Sequence, residues 1–154
     1  MFLSRIYVLL IPNVHFLGLF IAAFTLTYRV YALIPIYVFV LLDGVFQGFS
    51  ISWVPYLYIW LPLWLSFMIF GRFNPPKSLK IPIAMVLCAL HGFAFGLMYA
   101  PFQALAFGLS FRGMIAWIIA GIPFDIVHGI GNFAAGTLII PLVKLLTQLE
   151  GARL

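Results

Sequence analysis

Gly121-Ile-Pro-Phe-Asp125-Ile-Val-His128-Gly-Ile-Gly-Asn132-Phe-Ala-Ala-Gly136-Thr-Leu-Ile-Ile-Pro141 is long enough to cross a bilayer, yet it carries an acid, a histidine and an amide. At about 100° of rotation per residue, Asp125 and Asn132 fall on nearly the same line of a helix, with His128 within a side chain's width. Gly129 and Gly136 fall close to the same stripe. One helix therefore turns its polar groups and its close-approach glycines to a single side. Pro123, just after Gly121, reads as the first-turn proline of this helix. Placing an ionisable group against lipid costs at least ~2.5–3.5 kcal/mol, so such a residue is a candidate for function. The other reading is structural: Asp125 and His128 form a buried pair, or sit at the water interface, and hold helices together.

The rest of the chain has the same character. Its 154 residues are 66% hydrophobic and 7% charged, with a mean hydropathy of +1.21; a soluble domain carries roughly 25% charged residues. The apolar runs are continuous rather than alternating, which excludes a transmembrane barrel. The expectation is an all-α, polytopic integral membrane protein: a single domain over residues 1–154, built as a compact bundle of about six transmembrane helices. The net charge of +5 comes from basic residues scattered over loops and ends, where they serve topology and lipid headgroups rather than nucleic acid. Cys88 is the only cysteine, which excludes an internal disulfide and a cysteine-based metal site. Met1 to Leu10, with Arg5, lacks a small-residue cleavage site and reads as retained.

In chain order, the first crossing is expected over about His15 to Tyr28, or from nearer Phe2 with a break at Pro12-Asn13. Gly18 and Ala22 form a small-xxx-small step on it. Arg29, between Tyr28 and Tyr31, marks a loop. The second crossing runs from about Val30 to Phe49, with Asp43 and Gln47 as an i, i+4 pair. The aromatic run Trp53 to Trp60 opens the third, which continues to about Phe70, and reads as an interface belt or a ligand platform. Gly71 to Lys80 is the only long polar stretch, a water-exposed loop and a hinge between two halves. The fourth crossing, Ile81 to Tyr99, carries His91, a core histidine or a ligand. Pro101 starts the fifth, in which Gln103, Ala106, Ser110, Gly113 and Trp117 form a polar-and-small stripe. Arg112 falls opposite that stripe, so either Ser110 to Gly113 is a break or Arg112 snorkels to the headgroups. Six crossings put Arg5, Lys144 and Arg153 on one side and Arg29, Arg72, Lys77 and Lys80 on the other, and charge alone leaves the orientation undecided.

Neither a phosphate-binding P-loop nor a dinucleotide glycine pattern is present, so no ATP or dinucleotide site is expected, nor any other cofactor. Asp125-x-x-His128 has the i, i+3 step of half a carboxylate metal site, but the partner glutamates are missing. No metal and no catalytic residue are expected. A small bundle that turns polar stripes inward is better suited to binding a solute, with Asp125, His128 and Asn132 supplying directional hydrogen bonds and Trp or Tyr stacking on a flat ring. No inverted repeat supports transport by this chain alone, so a binder driven by partner subunits fits better.

Length, the hydrophobic segments, and Pro123-Phe124-Asp125-Ile-Val-His128-Gly-Ile-Gly-Asn132 opening the last helix resemble the substrate-binding (S) subunits of energy-coupling-factor (ECF) vitamin transporters. The resemblance implies a multi-pass protein of the cell membrane with cytoplasmic termini. It implies capture of a vitamin-like solute, and docking on a transmembrane T subunit powered by two ATPases. On the first helix, Gly18-x-x-x-Ala22 stands where the family often carries Ala-x-x-x-Ala for that docking. Asp125, His128, Asn132, Trp117 and His91 would line the pocket, with Tyr28, Arg29 and Tyr31 near its mouth, and Arg72 to Lys80 would be external. Asp43, Gln47 and Trp53 to Trp60 would be structural or docking residues. Two other classes compete: a membrane scaffold whose stripes bind only other helices, and a small intramembrane enzyme.

Overall fold

The computed structural model describes residues 16–151, and among these the chain is all helix and connecting turns. Helix α1 spans Leu17–Tyr28, and a tight 3₁₀ turn, Arg29–Ala32, leads into α2, Leu33–Gln47. A 3₁₀ segment, Ile51–Leu57, precedes α3, Leu61–Phe73. Then come α4 (Lys77–Phe93), α5 (Phe95–Phe107), α6 (Phe111–Gly136) and α7 (Ile139–Gly151). Four helical stretches among the described residues are long and apolar enough to cross a membrane: Leu17–Gln47, Ile51–Phe73, Lys77–Phe107 and Phe111–Gly136. The chain is an α-helical, membrane-embedded protein. Arg5, the Pro12-Asn13 break, His15 and Arg153 lie outside the described residues.

Several boundaries differ from those expected, each for a local reason. Gly71 to Lys80 is not one loop: α3 runs on to Phe73 and α4 begins at Lys77, leaving only Asn74, Pro75 and Pro76 between them. Asn74 takes a left-handed conformation (φ 42°) and donates its N–H to the Phe70 carbonyl, an ordinary helix stop, and the proline pair cannot continue the helix. Pro101 does not start a crossing but lies inside α5. The turn comes later, where Gly108 is left-handed (φ 64°) and the Ser110 hydroxyl accepts the Gly113 N–H at 3.2 Å. A serine cap at this point starts α6 ten residues before Gly121. Arg112 therefore sits in the first turn of α6, just past a true break. Pro123 is interior to α6 rather than in its first turn; its ring removes one hydrogen bond, which membrane helices tolerate.

The tightest packing joins α4 and α5 to α6 in antiparallel register. A methyl group on Gly92 would stand 2.8 Å from the Gly129 Cα, and one on Gly136 would stand 2.6 Å from the Met85 Cα. Small residues let these backbones touch, which is how helices gain contact where lipid supplies no hydrophobic drive. Around that seam, α1 packs on α3 and on α7, and α7 packs also on α4. Ile21, Ile36, Ile59, Leu63, Phe67, Cys88 and Ile139 fill the core between them. Because α7 carries on past the Met85 level instead of turning back, Lys144 comes to the end of the bundle that holds Arg29, Arg72, Lys77 and Lys80. The sequence had placed it at the opposite end, by counting Pro101 to Gly121 as a separate crossing.

Candidate functional site

The helix pair α4–α5 is nearly continuous but breaks at Ala94 (φ −89°, ψ 0°). The Gly96 N–H, freed by the break, donates to both oxygens of Asp125 at 3.1 Å each. Asp125 thus caps from α6 a helix start that lies at membrane depth. A carboxylate there meets both the unsatisfied N–H and the positive end of the α5 dipole. A methyl at Gly96 would run into the Asp125 carboxylate, which would have to move off the cap to make room. About two helical turns further along the seam, the Asn132 amide donates to the Cys88 carbonyl at 3.3 Å, and its oxygen faces Gly18 of α1. Asn132 is buried and closes the junction of α1, α4 and α6.

His91, Phe95 and Tyr99 follow at four-residue steps down one face of α4 and α5, and rings gather around Phe95. His128 meets it edge-on at 4.9 Å between centroids. Trp60 stands 5.8 Å from Phe95 and 5.7 Å from His91. Tyr56 stacks on Trp60 at 6.0 Å, and Trp117 stacks on Tyr99 at 5.7 Å with the planes 16° apart. Each such pair adds about 0.5–1.5 kcal/mol beyond its buried area. His91 Nε2 lies 2.9 Å from the Ile59 carbonyl. A carbonyl can only accept, so Nε2 carries the proton. Nδ1 of His91 is buried and makes no hydrogen bond among the described residues.

Tyr99, with Tyr37 and Trp53 from outside the cluster, ties the segment Ile51–Leu57 to its neighbours. The Tyr99 hydroxyl donates to the Ser52 carbonyl, Tyr37 donates to Leu57 at 2.9 Å, and the Trp53 indole donates to Val40 at 2.9 Å. At membrane depth such carbonyls need protein partners, since lipid offers none.

Of the residues singled out in the sequence, the structure brings together His91, His128, Trp117 and Asp125, linked through Phe95, Tyr99 and Gly96. Asn132 lies beside them on the seam. Tyr28, Arg29 and Tyr31 are elsewhere: Arg29 reaches over Gly71 of α3 and its carbonyl accepts the Trp64 indole at 3.3 Å. Arg29 thus lies along α3, its backbone beside Trp64 and its guanidinium at Gly71. Gly18 and Ala22 are both buried inside the chain. Asp43 is buried and accepts a hydrogen bond from Gln47, as their spacing implied. Phe95 and Tyr99 were not among the expected site residues, and Tyr56 and Trp60 were read only as part of an aromatic run, an interface belt or a ligand platform. The i, i+4 spacing of His91, Phe95 and Tyr99, and of Tyr56 and Trp60, is the signal that would have found them. Among the described residues no group of three or more His, Cys, Asp or Glu side chains is placed to hold a metal ion.

No protein-family model matches the chain, and no curated protein or solved structure matches it either.

Proposed function

We propose that the chain is the membrane-embedded solute-binding subunit of an ATP-driven uptake transporter of the ECF kind. It captures a small, ring-bearing, vitamin-like solute and hands it to a transmembrane partner coupled to ATPases. The observation that carries this reading is the cluster around Phe95: two buried histidines and an acid set among Tyr56, Trp60, Tyr99 and Trp117. Stacked rings offer flat faces, and the buried His91 Nδ1 is an acceptor that makes no hydrogen bond among the described residues. With the reading come six crossings, cytoplasmic termini and a place in the cell membrane.

The test is a thermal-shift screen of the detergent-purified protein against vitamins, nucleobases and amino acids. A ligand at 100 times its dissociation constant stabilises by about 2.7 kcal/mol. A hit is expected, weakened in His91→Ala and in Trp117→Ala, together with co-purification of an ATPase pair. The competing reading, a scaffold that only binds helices, is favoured by one observation: Asp125 and Asn132 direct hydrogen bonds to neighbouring backbone. A blank across the panel from folded protein, with one tightly held membrane partner, would select it.

A further inference from the structure

Five of the six described lysines and arginines converge on one end of the bundle. The Leu26 side chain and the Arg29 guanidinium reach Gly71 of α3, with the Arg29 carbonyl farther back beside Trp64, and Arg72 is next in sequence to that contact. Lys77 and Lys80 open α4, a proline pair away. Gly136 meets Met85 two turns above the start of α4, and α7 continues beyond it along α1 and α4, bringing Lys144. Arg72, Lys77 and Lys144 are exposed, and Arg29 and Lys80 are half-buried. The sixth cation, Arg112, follows the Gly108–Ser110 turn at the other end. The acids do not balance this. Asp125 is tied to Gly96, Asp43 is buried on α2 with Gln47, and only Glu150, on the last turn of α7, lies beyond Lys144. Beside the cations stand two of the most exposed large rings, Tyr31 at 71% and Phe73 at 80%. Aromatic rings next to lysine and arginine are what a membrane–water boundary selects.

We propose that this end lies on the anionic cytoplasmic leaflet and binds its lipid headgroups through Arg29, Arg72, Lys77, Lys80 and Lys144. Short loops rich in lysine and arginine stay on the cytoplasmic side, and the negative surface of that leaflet attracts each cation near it. The Asn74–Pro76 turn is therefore internal, not external as the ECF resemblance implies. The Gly108–Ser110 turn and the Trp117 side of the aromatic cluster face outward.

Two measurements test this on the full chain. Ser78→Cys and Leu109→Cys are introduced singly, with the wild-type protein, whose Cys88 is buried, as the blank. A membrane-impermeant maleimide should label Leu109→Cys in intact cells, and Ser78→Cys only in inverted vesicles. Separately, purified protein is unfolded by heat in detergent with added phosphatidylglycerol or phosphatidylcholine. Phosphatidylglycerol should raise the midpoint more, and the triple variant Arg72→Gln, Lys77→Gln, Lys80→Gln should need roughly a hundredfold more of it for the same shift. All three substitutions are on exposed or half-exposed positions, so the fold should survive them. Labelling of Ser78→Cys in intact cells, or a phosphatidylglycerol effect that the triple variant keeps, overturns the proposal.

Discussion

Asp125 shows how a single side chain can be read in two ways that a substitution separates. Its carboxylate serves as an acceptor for the Gly96 N–H. An amide keeps an acceptor oxygen, whereas alanine leaves the part-buried N–H without its partner. Asp125→Ala is expected to lower stability by about 1–2 kcal/mol and Asp125→Asn by less, measured by denaturant unfolding in micelles. If charge rather than capping mattered, the two variants would fall together. The glycines divide as sharply. Gly92→Ala drives a methyl onto the Gly129 backbone at 2.8 Å, so the helices must part, at a cost of about 1–3 kcal/mol. Gly121→Ala meets open space and should be neutral or slightly stabilising, through helix propensity of up to about 1 kcal/mol. Both outcomes are read from the same unfolding curves. The stripe of Asp125, Gly129, Asn132 and Gly136 was legible in the sequence because a helix repeats faithfully over a dozen residues. The cap was not, because its partner lies 29 positions away and is a backbone group that carries no sequence signature.

Among the elements, the segment Ile51–Leu57 depends most on its neighbours. It is 3₁₀ rather than α, carries Pro55 inside, and leaves carbonyls that Tyr37 and Tyr99 satisfy from other helices. Tyr37→Phe and Tyr99→Phe remove only hydroxyls, and each should cost about 0.5–1.5 kcal/mol, the net worth of an exposed hydrogen bond. Tyr99→Phe should also loosen the stacking on Trp117, visible as a change in tryptophan emission. Ser110→Ala is expected to cost about 1 kcal/mol by removing the cap of α6, measured in the same way. Element type was legible throughout, since apolar runs of this length admit only helices in a membrane. Element ends were harder. Pro123 and Pro101 each look like a helix start, because a first-turn proline and an interior proline are the same letter with the same apolar flanks. Gly108 and Ser110 carry the real stop and start, which polar-stripe counting across Gln103 to Trp117 ran straight over.

At the scale of the molecule, α4, α5 and α6 form the part from which the rest is hung. Amide exchange should be slowest near Ala84–Gly92 and His128–Gly136, and faster around Gly108–Ser110, because opening the seam requires both helices to separate at once. Mass-spectrometric exchange in micelles would read this directly. The membrane class was visible from composition alone, while the clustering of the cations was not. It needed the path of α7, and hence the knowledge that Pro101 to Gly121 is two helix parts joined by a turn. The antiparallel seam has a further consequence for how the gene can change in length. Deleting one codon between Gly92 and Gly96, or between Asp125 and Gly129, would rotate everything beyond it by about 100° and swing the seam to lipid. Codons added between Phe107 and Phe111 alter no register, since the helices on either side already hold each other. An epitope tag or a fused reporter belongs there, and a transposon library should recover insertions at that turn while losing them from the helices that flank it.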